Sequence, residues 1–185
     1  MLSGIKELHN ILSPREELLI VNNANARDTS LLTREKFDRM IASARVATFI
    51  EPSAAFLLAF EQNDDYDGAH FCWFQSRLDR FLYIDRIVVA RGHRRLGLGH
   101  MLYVDLFERA ARLGHSHVVC EVNQEPPNPA SDRFHSAEGF AEVGRATVDG
   151  GAKTVRYLLR QIVDSRQIAR RNDDRPFESS VVPAR

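Results

Sequence analysis

The sequence predicts an α/β (α+β) protein in a single domain, because strand-like and helical patterns alternate along the chain. A length of 185 residues suits one domain with a substantial core. Residues 81–89 form an apolar, β-branched run typical of a strand. A basic, glycine-containing turn follows at 91–99, and apolar residues recur at helical spacing from Leu98 to Leu113. This strand–turn–helix unit is the centre of the predicted fold.

The N-terminal part is predicted to supply a short helical lead-in, one further helix and three strands. In chain order these are a short helical lead-in at 1–14, a strand at 17–21, a helix at about 31–44 capped by Thr29 or Ser30, and strands at 45–51 and 54–60. Residues 62–68 are polar and predicted as a loop, whereas 69–81 is aromatic, basic and too irregular to assign.

The C-terminal part is predicted to contain a second central strand, a short helix and a hairpin. Residues 117–123 alternate in the manner of a strand. Asn128 can cap a helix that starts at Pro129 and ends at Gly139. Two final strands, at 141–148 and 153–160, are predicted to pair across the turn Asp149-Gly150-Gly151.

The remaining residues, 161–185, are polar and predicted to be a tail, either mobile or packed on a partner chain in a homodimer. The domain is therefore predicted to cover 1–160.

Composition excludes several classes of partner. The 25 basic and 25 acidic residues balance, so no overall charge favours nucleic acid or a membrane surface. No apolar stretch approaches the ~20 residues needed to cross a bilayer, and polar residues interrupt any signal-peptide pattern. We expect a cytoplasmic protein. His115 and His117 have no third ligand nearby in the sequence, so no metal is predicted.

The basic turn is predicted to bind phosphate. Arg91, Arg94 and Arg95 surround glycines just before a helix, where free N–H groups and the helix dipole favour an anion. A P-loop is excluded because no Lys-Ser/Thr pair follows the glycines. The dinucleotide fingerprint is excluded because Leu102 occupies the position of its third glycine.

Two motifs together resemble the GNAT acetyltransferase superfamily. The first is the Gln/Arg-x-x-Gly-x-Gly/Ala loop, here Arg94-Arg95-Leu96-Gly97-Leu98-Gly99. The second is an Asn-Pro-Ala start leading to a short helix that ends in Gly-Phe, here between Asn128 and Phe140. The resemblance spans roughly 17–160, and within the superfamily the chain resembles a bacterial subgroup of predicted acetyltransferases.

The resemblance implies a mixed, twisted sheet of about seven strands with flanking helices. It also implies that the strands at 81–89 and 117–123 splay apart and that acetyl-CoA, as co-substrate, lies between them. Backbone groups of Ile87, Val88 and Val89 would then pair with the thioester carbonyl and pantetheine. The other implied cofactor-binding residues are Arg94, Arg95, Leu96, Gly97, Leu98, Gly99, His100, Asn128, Ser131 and Phe134.

Asp85 is a candidate catalytic base. Strict alternation places it on one face of its strand with aromatic and aliphatic residues, namely Phe81, Tyr83, Ile87 and Val89. A carboxyl group in such surroundings tends to have a raised pKa and can accept a proton near neutrality. The alternative is a structural ion pair with Arg77 or Arg80, and the sequence leaves both interpretations open.

Two further side chains are candidates for acid–base chemistry. Glu121 is a second carboxylate inside a strand. His135 occupies the position at which the family has a tyrosine that is proposed as general acid. A histidine there could protonate a departing thiolate, or its ring could only pack beside the pantetheine.

The resemblance implies an acetyl-CoA-dependent N-acetyltransferase acting on an amine of a small molecule or peptide. The acceptor pocket is predicted to include Tyr66, Trp73 and Arg80 with Tyr83, although core packing is the alternative for such aromatics. A second hypothesis is a non-catalytic acyl-CoA-binding sensor or interaction module, because a histidine replaces the tyrosine.

Overall fold

The computed structural model describes residues 4–125, 127–148 and 153–162. Its strands are β1 (Ile5–Glu7), β2 (Val46–Ile50), β3 (Ala55–Glu61), β4 (Leu82–Val89), β5 (His117–Glu125), β6 (Ala141–Val148) and β7 (Lys153–Gln161). Its α-helices are α1 (Arg15–Asn23), α2 (Ala26–Thr29), α3 (Arg34–Ser43), α4 (Ala69–Gln75), α5 (Leu98–Arg112) and α6 (Pro129–Ala137). A 3₁₀ turn, Arg91–His93, lies between β4 and α5.

The strands form one mixed sheet of seven strands in the order β1-β2-β3-β4-β5-β7-β6. The pair β4–β5 is parallel, and the other neighbouring pairs are antiparallel. The predicted α/β architecture is therefore confirmed. Within the described ranges, no helix combines the length and apolarity needed to span a membrane.

Each face of the sheet carries its own buried cluster. On one face, α5 buries Leu98, Leu102, Leu106 and Ala110, which recur every four residues and so share one side of the helix. The other face is covered by side chains of α1, α3 and α4, including Leu18, Phe37 and Phe71. The central strands β3 and β4 are consequently buried on both faces.

The parallel pairing of β4 with β5 is short. It joins Leu82 to Val118, Tyr83 to Val119 and Ile84 to Cys120, and no further pair follows along the described parts of the two strands. Beyond Ile84 the strands diverge, as the resemblance implied. The backbone edge of β4 that faces β5 is therefore open from Asp85 onward.

A β-bulge in β4 corrects the predicted strand faces. Leu58 of β3 pairs with Arg86, but the next residue, Ala59, pairs with Ile84, so Asp85 is an extra residue. Residues after the bulge therefore lie on the opposite side of the sheet from the one that strict alternation predicts. Val88 joins the same cluster as Tyr83, whereas Ile87 and Val89 pack on the side of α5. The prediction that Asp85, Ile87 and Val89 share a face was wrong, because alternation assumes that no residue is inserted.

The N-terminal prediction was also wrong in two places. Residues 17–21, predicted as a strand, lie within α1, and the lead-in contains β1 rather than a helix. In α1 the side chains of Leu18, Leu19 and Asn22 are buried while Ile20 is 61% exposed, which is a helical pattern. A short apolar run such as Leu18 to Val21 fits a strand or a helix equally well by periodicity.

Most other elements agree with the predictions made from the sequence. The helix expected at 31–44 is α3, although its cap is Thr33, whose hydroxyl accepts from the Lys36 N–H group. The unassigned stretch 69–81 contains α4. The predicted turn Asp149-Gly150-Gly151 lies outside the described residues, as do residues 163–185 of the predicted tail 161–185, whereas Gln161 belongs to β7.

Gly144 in β6 gives a stability prediction. A Cβ atom at this position would lie 2.7 Å from Cζ2 of Trp73, whose ring stacks on Tyr157 with centroids 4.0 Å apart. We expect Gly144→Ala to lower the free energy of unfolding by about 1–3 kcal/mol, because the Trp73 ring must shift from its stack on Tyr157. Denaturation followed by fluorescence of the single tryptophan measures it.

Gly92→Ala is the matched control, because a Cβ atom at Gly92 would meet no heavy atom within 4 Å. Equal stability of the two variants would contradict the packing described for Trp73.

Candidate active site

The divergence of β4 and β5 opens a cleft of about 840 Å³. Its long sides are the ends of the two strands, at residues 84–89 and 120–123. One end is closed by the turn before α5 and the first turns of α5 and α6. Residues 25–30, which include helix α2, also line the cleft, as do Tyr66 and His70, which follow β3.

The turn before α5 presents free N–H groups to the cleft. Arg95 and Gly97 have left-handed backbone conformations, with φ of 65° and 76°, which reverse the chain sharply. The first hydrogen bond into α5 runs from Met101 N–H to the Gly97 carbonyl oxygen at 3.0 Å. The N–H groups at 98–100 therefore have no carbonyl partner inside the helix and can bind an anion.

The two sequence motifs meet at this end of the cleft. A Cβ atom on Gly99 would lie 3.0 Å from the ring of Phe134, so glycine allows α6 to approach the start of α5 closely. Asn128 caps α6 by accepting from the Ser131 N–H group at 3.1 Å. His100 contacts the Glu138 carboxylate through Nδ1 at 2.9 Å. Motif residues from both helices thus line one anion-binding end.

Nearly all of the predicted cofactor-binding residues line the cleft. They include Ile87, Val88, Val89, Arg94, Arg95, Gly97, Leu98, Gly99, His100, Asn128, Ser131 and Phe134. Leu96 is not among the lining residues that the structure describes, and it is 56% exposed.

Asp85 lies in the cleft as part of a buried ion pair. One carboxylate oxygen accepts from the Tyr66 hydroxyl, and the other accepts from Arg86 Nε at 2.6 Å. The Asp85 side chain is only 8% exposed. The sequence did not decide whether Asp85 forms a structural ion pair. The structure shows that it does, and the partner of Asp85 is Arg86 rather than Arg77 or Arg80.

Glu121 lies across the cleft on β5 and is partly exposed. Its Oε2 atom accepts from the hydroxyl of buried Tyr83 at 2.8 Å. Burial, and then the charge of Glu121, raise the pKa of Tyr83 well above its ordinary value, so this hydroxyl remains a donor. Burial and the charge of Asp85 raise the pKa of Tyr66 in the same way. Each carboxylate is therefore held by a neutral tyrosine.

His135 lines the cleft but is largely buried, and burial lowers its pKa below the ordinary value. Its Nδ1 atom is 2.8 Å from the Ser131 carbonyl oxygen, which can only accept, so Nδ1 carries the proton. Nε2 then accepts from the hydroxyl of buried Tyr103 at 2.9 Å. At neutral pH this histidine is uncharged and both of its nitrogens are occupied.

The predicted acceptor residues separate into two groups. Tyr66 and Tyr83 line the cleft, whereas Trp73 and Arg80 are not among its described lining residues. Trp73 stacks on Tyr157, and the Arg80 guanidinium donates to the Leu113 carbonyl oxygen at the end of α5. The irregular stretch 69–81 gave no indication of how α4 would orient these side chains.

Several lining residues were missed by sequence reasoning. Tyr103 follows Leu102 on α5 and could have been found by extending the apolar face of the helix by one position. Arg86 was assigned to the opposite face from Asp85 because the bulge was not foreseen. His70 and residues 25–30 carry no motif, and only tertiary structure places them here. Among the described residues, no cluster of metal-ligating side chains is present.

Comparison with known proteins identifies the family. The family model described as acetyltransferase (GNAT) family matches residues 16–140, most of the chain. The protein belongs to the GNAT acetyltransferase family. A comparison with curated protein sequences gave no significant match.

Solved structures share the fold of this GNAT protein at low sequence identity. The ribosomal-protein-S18-alanine N-acetyltransferase from Escherichia coli is 15% identical, with a TM-score of 0.62 over 88% of this chain and 94% of that one. An aminoglycoside 6′-N-acetyltransferase complexed with coenzyme A is 13% identical, with a TM-score of 0.66 over 87% and 98%. The NatC complex bound to Gag peptide and CoA matches at 10% identity, with a TM-score of 0.66 over 88% and 99%.

The environment of His135 gives this GNAT protein a predicted pH dependence. Its folded pKa lies below the value of 6.5 expected when unfolded, so its contribution to stability is complete above that pH. The contribution is lost as pH falls through the folded pKa, by up to about 1.4 kcal/mol for each unit of pKa shift. We expect His135→Gln to have a shallower fall in unfolding free energy between about pH 6.5 and 5.

Urea denaturation at several pH values measures this difference. His115, whose pKa is also lowered by burial, leaves part of the dependence in the variant. Identical slopes for wild type and His135→Gln would show that His135 is not held in its neutral form.

Proposed function

We propose that this protein is an acetyl-CoA-dependent N-acetyltransferase that transfers an acetyl group directly to an amine of a small molecule or peptide. The observation that carries the proposal is a single cleft that joins an anion-binding helix start to two carboxylates. The helix start and the two carboxylates all line the opening where β4 and β5 diverge. Family membership and the N-acetyltransferase names of structural neighbours support the same reaction type.

Separate groups of cleft residues fit the successive parts of a coenzyme A thioester. The pyrophosphate would bind the N–H groups at 98–100, with Arg94 and Arg95 supplying charge. The pantetheine amides would pair with the open backbone edge of β4 near Ile87 and Val89, where β5 has diverged. Phe134, packed against Gly99, would border the passage between these two regions.

The proposed base is Glu121, acting directly or through a water molecule. Glu121 is partly exposed within the cleft, whereas both oxygens of Asp85 are already engaged by Tyr66 and Arg86. In this proposal Asp85 keeps a negative charge beside the acceptor amine and orients Tyr66. Glu121 would remove a proton from the ammonium group of the acceptor, so that the neutral amine can attack, because its carboxylate is partly exposed to the cleft.

Attack on the thioester and departure of the thiolate need little help from a general acid. An N–H group of β4 near Val88 would stabilise the oxyanion formed when the amine attacks the thioester carbonyl. The thiolate is a good leaving group, so positioning in the cleft would supply much of the acceleration. We propose that His135, being neutral and enclosed, supports Tyr103 and the fold of α6, and that solvent protonates the thiolate.

The nature of the base can be tested with Glu121→Gln. We expect its kcat for amine acetylation to fall by about 10²–10⁴-fold, because the amide can still accept from Tyr83 but cannot take a proton. The affinity for coenzyme A should stay within about threefold of wild type, because the proposed pyrophosphate contacts come from residues 94–100 and not from Glu121. Release of free thiol from acetyl-CoA, with a panel of small amines and peptides, measures the rate.

Glu125→Gln is the matched control, since Glu125 lies on the same strand but is exposed and outside the cleft. If acetyl-CoA binds tightly but no amine in the panel releases thiol from wild type, the non-catalytic sensor hypothesis is supported instead. Full activity of Glu121→Gln would remove Glu121 from the mechanism.

A further inference from the structure

The two carboxylates of the cleft face the side of the sheet that α1, α3 and α4 cover. Val119 and Tyr157 belong to the buried cluster on that side, and Glu121 follows Val119 by two residues and pairs with Tyr157 across the strands. Tyr66, which donates to Asp85, also packs against this cluster. The proposed pyrophosphate site lies at the start of α5, which packs on the opposite face. We therefore expect the amine to enter from the side of α3 and α4.

Helix α4 covers the part of this face that lies over β7. The ring of Trp73 stacks on Tyr157 with centroids 4.0 Å apart, and Phe74 meets the same ring edge-on at 5.3 Å. His70 Nδ1 lies 3.1 Å from the Tyr157 hydroxyl. An acceptor that reaches the carboxylates is therefore expected to extend the other way, along residues 26–30 and the cleft-lining residues of α3.

Lys36 places a cation on this path. It lines the cleft together with Met40, which lies one turn further along α3 and is buried in the same cluster as Tyr83. Lys36 is exposed, and no described carboxylate forms an ion pair with it. A cation in the first turn of a helix opposes the helix dipole, so the charge of Lys36 does not stabilise α3. This charge is available to a ligand.

Two neighbouring cations are, by contrast, neutralised within the protein. Arg34 Nη1 lies 2.6 Å from the Glu16 carboxylate, and Arg34 Nε lies 2.7 Å from the Asp38 carboxylate. Arg15 also pairs with Asp38, at 3.1 Å. Lys36 therefore differs from these neighbours both in lacking a described partner and in lining the cleft.

Arg27 adds a second cation to the same side of the cleft. It lies on α2, lines the cleft, is exposed and has no described ion-pair partner. Asp28 contributes the one carboxylate among the lining residues of 25–30 and α3, so this side has a net positive charge. The acceptor region thus combines a negative inner end at Glu121 with a positive outer end at Arg27 and Lys36.

We propose that the acceptor is a small amine that also carries an anionic group, a carboxylate or a phosphate, which Lys36 and Arg27 bind while its ammonium group meets Glu121. An acceptor with both charges matches both ends of the region, whereas a simple amine leaves the two cations without a partner. The inference rests on the proposed function, because it names the acceptor class of the same site.

Matched pairs of acceptors test this class by release of thiol from acetyl-CoA. The assay compares ω-amino acids of increasing length with their amides, and phosphoethanolamine with ethanolamine. In wild type, kcat/KM should be about five- to tenfold higher for the anionic member of the best pair, because each partly exposed ion pair contributes a factor of a few. Added salt should reduce this ratio, since exposed charges are screened. The pair that shows the preference identifies the anion as carboxylate or phosphate.

Lys36→Met removes the charge and keeps an aliphatic side chain. Its anionic-to-neutral ratio of kcat/KM should fall at least about threefold below that of wild type, whereas Lys36→Arg should retain the ratio. Arg39→Met is the matched control, because Arg39 is exposed on the same helix but does not line the cleft. Comparing ratios between variants cancels the intrinsic reactivity of each amine and any loss of folded protein.

The outcomes separate this inference from the proposed function. If no amine releases thiol from acetyl-CoA, the proposed function fails, and the acceptor class fails with it. If amines are acetylated but the members of every pair react equally, or if Lys36→Met keeps the wild-type ratio, the acceptor class is overturned while the proposed function stands. A weaker affinity for coenzyme A in Lys36→Met, with an unchanged ratio, would assign Lys36 to the co-substrate and would also overturn the acceptor class.

Discussion

The parallel pairing of β4 with β5 ends at the pair Ile84–Cys120, and the cleft of the candidate active site depends on that break. A continuous ladder would occupy the backbone edge of β4 and leave no space between the strands. Because β4 keeps its antiparallel partner β3 on the other side, and β5 keeps β7, each strand remains fixed while one edge is free. The cleft is therefore a rigid opening inside the sheet, of the kind that holds an extended ligand against main-chain groups.

The bulge at Asp85 determines which side chains enter this opening. One additional residue brings neighbours in sequence, Asp85 and Arg86, into a buried ion pair that strict alternation would have separated. Removing one partner would leave an uncompensated buried charge, which is costly in a protein interior. Arg86 also bonds Asn22 and Thr29, so the Asp85 carboxylate and the segment 25–30 that lines the cleft are positioned together. The bulge thus connects the geometry of a strand to the shape of the cleft.

The sequence predicted the elements that depend on interactions between residues close together in the chain. The helix α5 follows from apolar periodicity and a glycine turn, and α6 follows from the Asn128 cap and Gly139. The bulge was not predictable, because an inserted residue leaves no mark in the alternation of a fully buried strand. Trp73 on α4 contacts β6 and β7, and Arg80, which follows α4, contacts the end of α5, so the positions of both depend on contacts between distant parts of the chain. The residues predicted at the turn and on α6 therefore lie together in the cleft, whereas of the four predicted acceptor residues only Tyr66 and Tyr83 line it.

The central claim is that the start of α5 binds the pyrophosphate of coenzyme A while its pantetheine follows the free edge of β4. An NMR titration that compares coenzyme A with pantetheine, which lacks the pyrophosphate, tests this claim most directly. Coenzyme A should shift the amide resonances of Leu98, Gly99 and His100, because those N–H groups gain an anionic acceptor. Pantetheine at saturation should shift resonances of β4 near Val88 and leave the three amides of α5 largely unchanged. Binding of coenzyme A without a response at 98–100, or an equal response to pantetheine, would contradict the account.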